Sequence, residues 1–206
     1  LYNDTTRFTL HARGTVLGEV GTSLLGEHNV ENSVGAVAWV LERDLVQFDD
    51  IRNALADFKG IRRRLDAIAP SSRIPVFEGF GSSYEKARSA IRALKLHFPE
   101  KPLIIVFEPH TFGWRNRANL AWYDDVFTEA EKVFVAAPET QGADTHDQLT
   151  QEEIISRIGT RALPYTTPRK VSHELSGNEI VLILTSGSLD GTIQTLADVI
   201  TEKFPL

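Results

Sequence analysis

The sequence predicts an α/β protein: a mostly parallel sheet with helices on both faces, preceded by the tail of a second α/β domain. Three observations lead there. The runs at 103–107, 133–136 and 180–184 are unbroken apolar stretches of strand length, as expected of strands buried on both faces. They alternate with segments whose apolar residues recur at helical spacing, which is the pattern of a parallel sheet with crossover helices. The first 45 residues follow a different rule, alternating apolar and polar side chains as a half-buried hairpin does. We therefore expect the end of one domain over 1–45, a linker helix over 46–60 and an α/β domain over 61–206.

In chain order, Phe8, Leu10 and Ala12 point one way and Arg7, Thr9 and His11 the other, which is a strand. Gly14 breaks it, and 16–20 reads as its hairpin partner. Leu24 and Leu25 suggest a third short strand ended by Gly26. From Glu31 to Arg43, Val34, Val37, Ala38 and Leu41 predict a helix. A second helix starts near Asp49, with Ile51, Leu55 and Phe58 on its apolar side and Gly60 at its end. The composition shifts at Arg62-Arg63-Arg64. Beyond it, 74–77 is a strand and 84–98 a helix with Ala87, Ile91, Leu94 and Phe98 on one face. A strand at 103–107, a helix at 118–130 and a strand at 133–136 follow. A helix at 151–158 carries Glu152 and Glu153 in its first turn, where carboxylates suit the helix dipole. The strand at 180–184 and a helix at 192–204 close the pattern.

Composition excludes several function classes. The 206 residues carry 22 Lys and Arg against 28 Asp and Glu, a formal net charge of −6, so no overall basic field exists to hold nucleic acid or an anionic membrane. No apolar run approaches the roughly 20 residues of a membrane span. The absence of cysteine removes disulfide frameworks and thiolate metal sites, and a cytoplasmic location is the simplest expectation. The chain also lacks methionine, and we read it as part of a longer protein.

In open α/β sheets ligands bind at the carboxyl ends of strands, which directs attention to the segments after Phe77, Phe107, Ala136 and Leu184. Glu78-Gly79-Phe80-Gly81-Ser82-Ser83 opens a helix. It can cradle a phosphate or carboxylate through backbone N–H groups, or simply cap the helix. Glu108-Pro109-His110-Thr111, followed by Trp114, Arg115 and Arg117, offers cations for bidentate anion binding, or is a solvated loop. Thr185-Ser186-Gly187-Ser188-Leu189-Asp190-Gly191 is a third loop on the same edge. Gly26-Glu27-His28-Asn29-Val30-Glu31-Asn32 precedes the first helix, where Asn or His commonly caps. Arg62 to Arg64 beside Asp66 is also consistent with a solvated strand start. His11, His97, His146 and His173 are scattered without ligand spacing and read as structural or exposed; no metal constellation is expected. No G-x-x-x-x-G-K-[ST] loop occurs in the chain.

Taken in order, these segments resemble the motifs of the Mur ligase family, which builds and recycles the peptidoglycan precursor. The 25–32 segment is similar to the family's G-x-H-N-x-x-N signature. Phe58-Lys59-Gly60-Ile61-Arg62-Arg63-Arg64-Leu65-Asp66 resembles its F-x-G-v-x-R-R-x-E junction into the C-terminal domain. Residues 76–83 stand where relatives carry D-D-[FY]-[AG]-H-H-P, Phe107 to His110 is similar to F-x-P-H, and 185–192 resembles S-N-G-x-x-G-I. The resemblance runs nearly end to end. It implies the last part of a central ATPase domain over 1–45 and a Rossmann-like C-terminal domain, with the UDP-binding domain, the P-loop and the Mg ligands upstream, outside this chain.

The resemblance also implies a chemistry. ATP, with Mg, phosphorylates the carboxylate of UDP-N-acetylmuramate, and the amine of an amino acid or recycled peptide attacks the acyl phosphate. By resemblance His28, Asn29 and Asn32 contact the adenine. Arg64, the catalytic candidate, reaches the ATP ribose and phosphates together with Arg63, and Glu78 adjoins the nucleotide. Ser82, Ser83, His110, Arg115 and Ser186 line the place of the incoming amine. Domain closure excludes water. Gly79, Ser82 and Ser83 depart from the family's second Asp and its His pair, and Thr111 and Trp114 stand where alanine-adding members carry Arg. The last-strand loop leans toward the tripeptide-recycling branch and His110 toward the alanine-adding one. The expected partners are the two substrates and the upstream domains of the same polypeptide, with no nucleic acid or membrane. The chain by itself is expected to be inactive for lack of a P-loop. Two other readings are a non-enzymatic nucleotide- or peptide-binding α/β module and a folylpolyglutamate-type ligase.

Overall fold

The alternation at residues 6–22 becomes a hairpin in the computed structural model, which describes residues 5–140 and 147–206. Strand β1 (Thr6–Ala12) pairs antiparallel with β2 (Thr15–Thr22), setting Phe8 opposite Val20 and Leu10 opposite Gly18. Arg13 and Gly14 make the turn with φ of 49° and 78°, the left-handed pair that matches strand twist in a two-residue loop. Leu24 and Leu25 do not form the expected third strand. Leu24 is held by side chains instead: its N–H donates to Thr22 Oγ1 (3.2 Å) and its carbonyl accepts from Thr6 Oγ1 (2.6 Å). Leu25 turns into the main core.

Helix α1 (Glu27–Glu42) begins four residues before the expected start at Glu31. Its buried positions are Asn29, Ser33 and Val37, spaced one turn apart. Two of the three are polar, so a count of apolar residues cannot see the first turns. Their groups are satisfied locally: Asn29 Nδ2 donates to Leu25 O and Ser33 Oγ to Asn29 O, both at 2.8 Å. Helix α2 (Phe48–Asp57) stands where a helix starting near Asp49 is predicted, but Phe58 lies beyond its end and is exposed rather than on its apolar side. Leu10, Val20, Val37 and Ile51 form a small core for these elements.

The second sheet has the order β3-β4-β8-β5-β6-β7 among the described residues, from β3 (Arg64–Ala67), β4 (Val76–Gly79), β5 (Leu103–Phe107), β6 (Lys132–Val135), β7 (Ala162–Pro164) and β8 (Ile180–Leu184). Only β3 runs antiparallel. The predicted strand at 74–77 is thus shifted by two residues. Strand β3 begins where Arg62 to Arg64 was consistent with a solvated strand start, whereas β7 was not expected, being too short for a period to emerge. In β5 and β8 every residue is buried, and alternate side chains serve opposite faces. Ile105, Phe107 and Leu182 pack under α3 (Tyr84–His97) and α5 (Gln151–Ile158). Ile104, Val106 and Val181 pack under α6 (Pro168–His173) and α7 (Ile193–Lys203). Helix α6, opened by Pro168, was also unexpected.

The helix predicted at 118–130 is replaced by α4 (Phe112–Arg115), a 3₁₀ segment (Arg117–Asp124) and turns. Side-chain hydrogen bonds hold the irregular path there. Asn116 Oδ1 accepts from Ala118 N (2.9 Å), and Asn119 Nδ2 donates to Gly113 O (3.0 Å). The irregular path lets Trp114, Tyr123 and Phe127 close around Phe107, with ring centroids 4.9, 6.1 and 5.0 Å away. The Tyr123 hydroxyl, pushed up in pKa by burial, donates to Trp114 O at 2.7 Å.

The chain walks outward through β4, β5, β6 and β7, then returns on the other face to insert β8 between β4 and β5. That reversal places the carboxyl ends of β4, β8 and β5 side by side, where an open α/β sheet offers a crevice.

Candidate functional site

The loops after β4, β8 and β5 converge as the topology requires. The Arg62–Asp66 segment reaches them from the edge. Arg63 and Leu65 both lie at left-handed φ, 64° and 62°, and the ladder to β4 slips between Arg64 and Asp66. Long side chains rarely occupy that region, so the turn is strained. Its effect is to bury Leu65 in the core while leaving Arg64 exposed.

Arg63 ties the loops together. Its Nε donates to Glu78 Oε1 at 2.6 Å and its Nη2 to Gly187 O at 2.6 Å and Thr185 O at 3.3 Å. Its backbone N–H donates to the Asp66 carboxylate. The guanidinium lies 5.3 Å from the Phe80 ring centroid, a cation–π distance. Around it opens a cavity of about 1110 Å³ lined by Lys59, Arg62, Arg63 and Arg64, with Gly187 and Ser188 on its far wall. Lys59, Arg62 and Arg64 have no carboxylate within ion-pair distance among the described residues. Asp66 and Glu78 also line the cavity but are both engaged by Arg63, so the balance of its wall is positive, which suits an anion.

His28 sits apart from that cavity. Its Nδ1 is 3.0 Å from Ser89 Oγ on α3, in a second cavity of about 620 Å³ with Arg88 and Arg92. Its pKa is lowered, first by burial and next by Arg64, with Glu31 opposing. Asn29 is buried and engaged with Leu25 O, whereas Asn32 is exposed. The approach of α1 to α3 depends on Gly26, at φ 89°, because a Cβ there would stand 2.6 Å from the Ala93 Cβ. His97, read as structural or exposed, is the former: buried, with its Nε2 accepting from Gly26 N at 3.4 Å. His146 lies outside the described residues.

On the other side of Gly187 is a third group. Glu108 is buried; its Oε2 accepts from Leu189 N at 3.1 Å and from Thr185 Oγ1. His110 Nδ1 stands 3.9 Å from Glu108 Oε1 and 3.9 Å from Glu139 Oε2, and is shielded from solvent. Ser186 Oγ is buried nearby in sequence without a hydrogen-bond partner among the described residues. Gly187 is required: a Cβ would come within 2.5 Å of His110 Nδ1 and 2.7 Å of Glu108 Oε2.

The remaining candidates are engaged locally. Ser83 Oγ caps α3 by accepting from Lys86 N at 3.4 Å, and Ser82 Oγ accepts from Lys86 Nζ at 2.9 Å. Arg115 is turned inward, donating to Glu139 O (3.0 Å) and Gln148 Oε1 (3.1 Å). Arg117 pairs with Glu153 and Asp147 at 2.5 and 2.8 Å. Trp114 Nε1 donates to Gly81 O at 2.7 Å, joining the β4 and β5 loops. The sequence reading did not single out Lys59 or Glu139 as site residues. Glu139 had a signal, since it follows the carboxyl end of β6, one of the four strand ends expected to matter.

In sequence and in fold the chain is similar to the C-terminal portion of Mur ligases. No protein-family model matches it. In sequence it is 29% identical over 197 residues to the UDP-N-acetylmuramate–L-alanine ligase of Geobacter sulfurreducens, covering 92% of this chain and 42% of that protein. It is 28% identical over 152 residues to the same ligase of Lactobacillus helveticus, covering 74% of this chain and 34% of that one. The chain therefore spans less than half the length of these relatives. In fold it is similar to the crystal structure of the UDP-N-acetylmuramate–alanine ligase of Thermotoga maritima, with a TM-score of 0.74 at 16% identity, covering 98% of this chain and 44% of that one. A murein peptide ligase of Psychrobacter arcticus aligns with a TM-score of 0.59 at 18% identity, over 97% of this chain and 42% of that one. Among the described residues no helix is long and apolar enough to cross a membrane.

Proposed function

We propose that this chain is the C-terminal part of an ATP-dependent muramyl ligase, which joins UDP-N-acetylmuramate to an amino acid or peptide through an amide bond. The observation that carries this reading is the cavity of about 1110 Å³ whose wall presents Lys59, Arg62, Arg63 and Arg64 beside the reversal point of the sheet. Its cations suit an anionic nucleotide, and a related MurF ligase of Thermotoga maritima has been solved with ADP. Residues 1–45 are then the end of the central ATPase domain, 46–60 a linker helix and 61–206 the C-terminal domain. When bound, ATP supplies the phosphoryl group that activates the carboxylate, with Mg held by residues outside this chain.

The chain's own residues have distinct parts. Arg63 is occupied by Glu78 and the β8 loop and sets the position of the cavity wall. Arg64, exposed on the strained turn and without an ion-pair partner among the described residues, is the group placed to meet developing negative charge. His28 faces Arg64 electrostatically and, with Asn29 and Asn32, belongs to the nucleotide side at the start of α1. Ser82, Ser83, His110, Arg115 and Ser186 surround the acceptor's place at the carboxyl ends of β4, β5 and β8. Without the phosphate-binding loop of the whole ligase, the chain alone is inactive.

The test is phosphate release by the whole polypeptide with ATP, Mg²⁺ and UDP-N-acetylmuramate, offered L-alanine or a muramyl tripeptide. Release that depends on one acceptor establishes the ligase and names its branch. Arg64→Ala should lower turnover by about 10²-fold while leaving the unfolding midpoint in place. Release with neither acceptor, or full turnover in Arg64→Ala, would overturn the assignment.

A further inference from the structure

We propose that Glu108, His110 and Glu139 form a binding site for one divalent transition-metal ion of the zinc type, separate from the Mg²⁺ that ATP chemistry requires. The three side chains come from the carboxyl ends of two neighbouring strands, β5 and β6, and their ligating atoms all lie within 4.8 Å of one another.

Glu108 supplies the first argument. It is 4% exposed, and its Oε2 is fixed by Leu189 N and Thr185 Oγ1. Its Oε1 accepts no hydrogen bond from the described residues and faces His110 at 3.9 Å. Burying a carboxylate without a matching cation is costly, so the arrangement asks for positive charge at this point. His110 supplies the second. Its Nδ1 is sealed from solvent without a hydrogen-bond partner among the described residues, a rare state for a ring nitrogen. The 3.9 Å to each carboxylate is too long for a hydrogen bond. It is close to the spacing of two ligands sharing a metal: at zinc bond lengths and a tetrahedral angle they stand about 3.4 Å apart. Small rotamer adjustments close that difference.

The surroundings are built for such a role. The bonds from Leu189 and Thr185 hold Glu108 in place, as outer partners hold metal ligands. Gly187 keeps the space clear, since any Cβ would press on His110 Nδ1 and Glu108 Oε2. One imidazole and two carboxylates suit zinc, manganese or ferrous iron, and three protein ligands leave a coordination position open. The sequence hides this site because its ligands are 31 residues apart and share no motif.

The inference does not depend on the ligase reading, because its test uses this chain alone without nucleotide. The chain is stripped with a chelator, then titrated calorimetrically with Zn²⁺ and spectroscopically with Co²⁺, whose visible bands report coordination. One saturable ion per chain is expected. His110→Ala and Glu139→Gln should each weaken it by about tenfold or more; the exposed His173→Ala should not change it. Glu139 is 39% exposed, so its variant reads ligation rather than folding. Absence of saturable binding, binding that survives both variants, or selective binding of methylamine in place of the metal would each overturn the proposal.

Discussion

Helices α1 and α3 are of similar length, 16 and 14 residues, yet they are built by different rules. Helix α3 buries Ala87, Ala90, Ile91, Ala93, Leu94 and His97 against the sheet. Helix α1 buries Asn29, Ser33 and Val37, and leaves Val34 and Trp39 exposed at 42% and 54%. The same contrast holds for the regions around them. The sheet beyond residue 61 has an apolar layer on each face, whereas the hairpin, α1 and α2 share four buried apolar residues. Order in the first region therefore leans on its neighbours: His97 and Ser89 of α3 hold the entry to α1, and Gly26 permits the approach.

Four variants sharpen that comparison. The largest effect belongs to Phe107→Ala, which removes the ring at the centre of the aromatic cluster and should cost about 3–5 kcal/mol. Val37→Ala in the small core should cost only about 1–2 kcal/mol. Urea unfolding of both measures the difference, and equal costs would break the contrast. Next come two glycines of opposite sign. Gly187→Ala collides with His110 and Glu108 and should destabilise by about 1–3 kcal/mol. Gly35→Ala, in α1 with open space around it, should stabilise by about 0.5–1 kcal/mol, read as a rise in Tm.

The smallest effect is electrostatic. Glu153 is held down to about 2, first by its hydrogen bond to Arg117 and next by the backbone of Thr150. A carboxyl depressed in the fold stabilises fully above its ordinary value near 4.5 and loses that contribution as pH falls toward 2. Glu153→Gln should therefore flatten the acid decline of stability between about pH 4.5 and 2, monitored by circular dichroism. An unchanged slope would remove the pair as a contributor.

The parts of the fold legible in the sequence are those where apolar residues alone decide. Strands β5 and β8, and helices α3, α5 and α7, stand within a residue or two of their predicted bounds because their burial is hydrophobic. Helix α1 was read late because polar side chains fill two of its buried positions. The 118–130 segment departs from a regular helix because Asn116 caps a 3₁₀ segment there and the apolar residues that mimic a helical face close around Phe107 instead. For the site, the three strand-end loops were visible as small-residue turns after apolar runs, and the structure brings them together. Which cations stay free was not visible. Arg115 and Arg117 look alike in sequence to Arg64, and only the packing shows the first two engaged and the third open.

The strand order carries a consequence for how the protein is made. Strand β8 lies between β4 and β5, yet in sequence it comes after both: β4 ends at Gly79 and β5 at Phe107, and β6 and β7 intervene before β8 begins at Ile180. On the ribosome, β4 and β5 emerge with a gap between them that only residues 180–184 can fill. Until then each exposes an unpaired edge of apolar backbone, a surface prone to wrong partners. Synthesis stalled before Ile180 thus yields not a slightly shortened protein but a sheet split in two, a natural substrate for quality control.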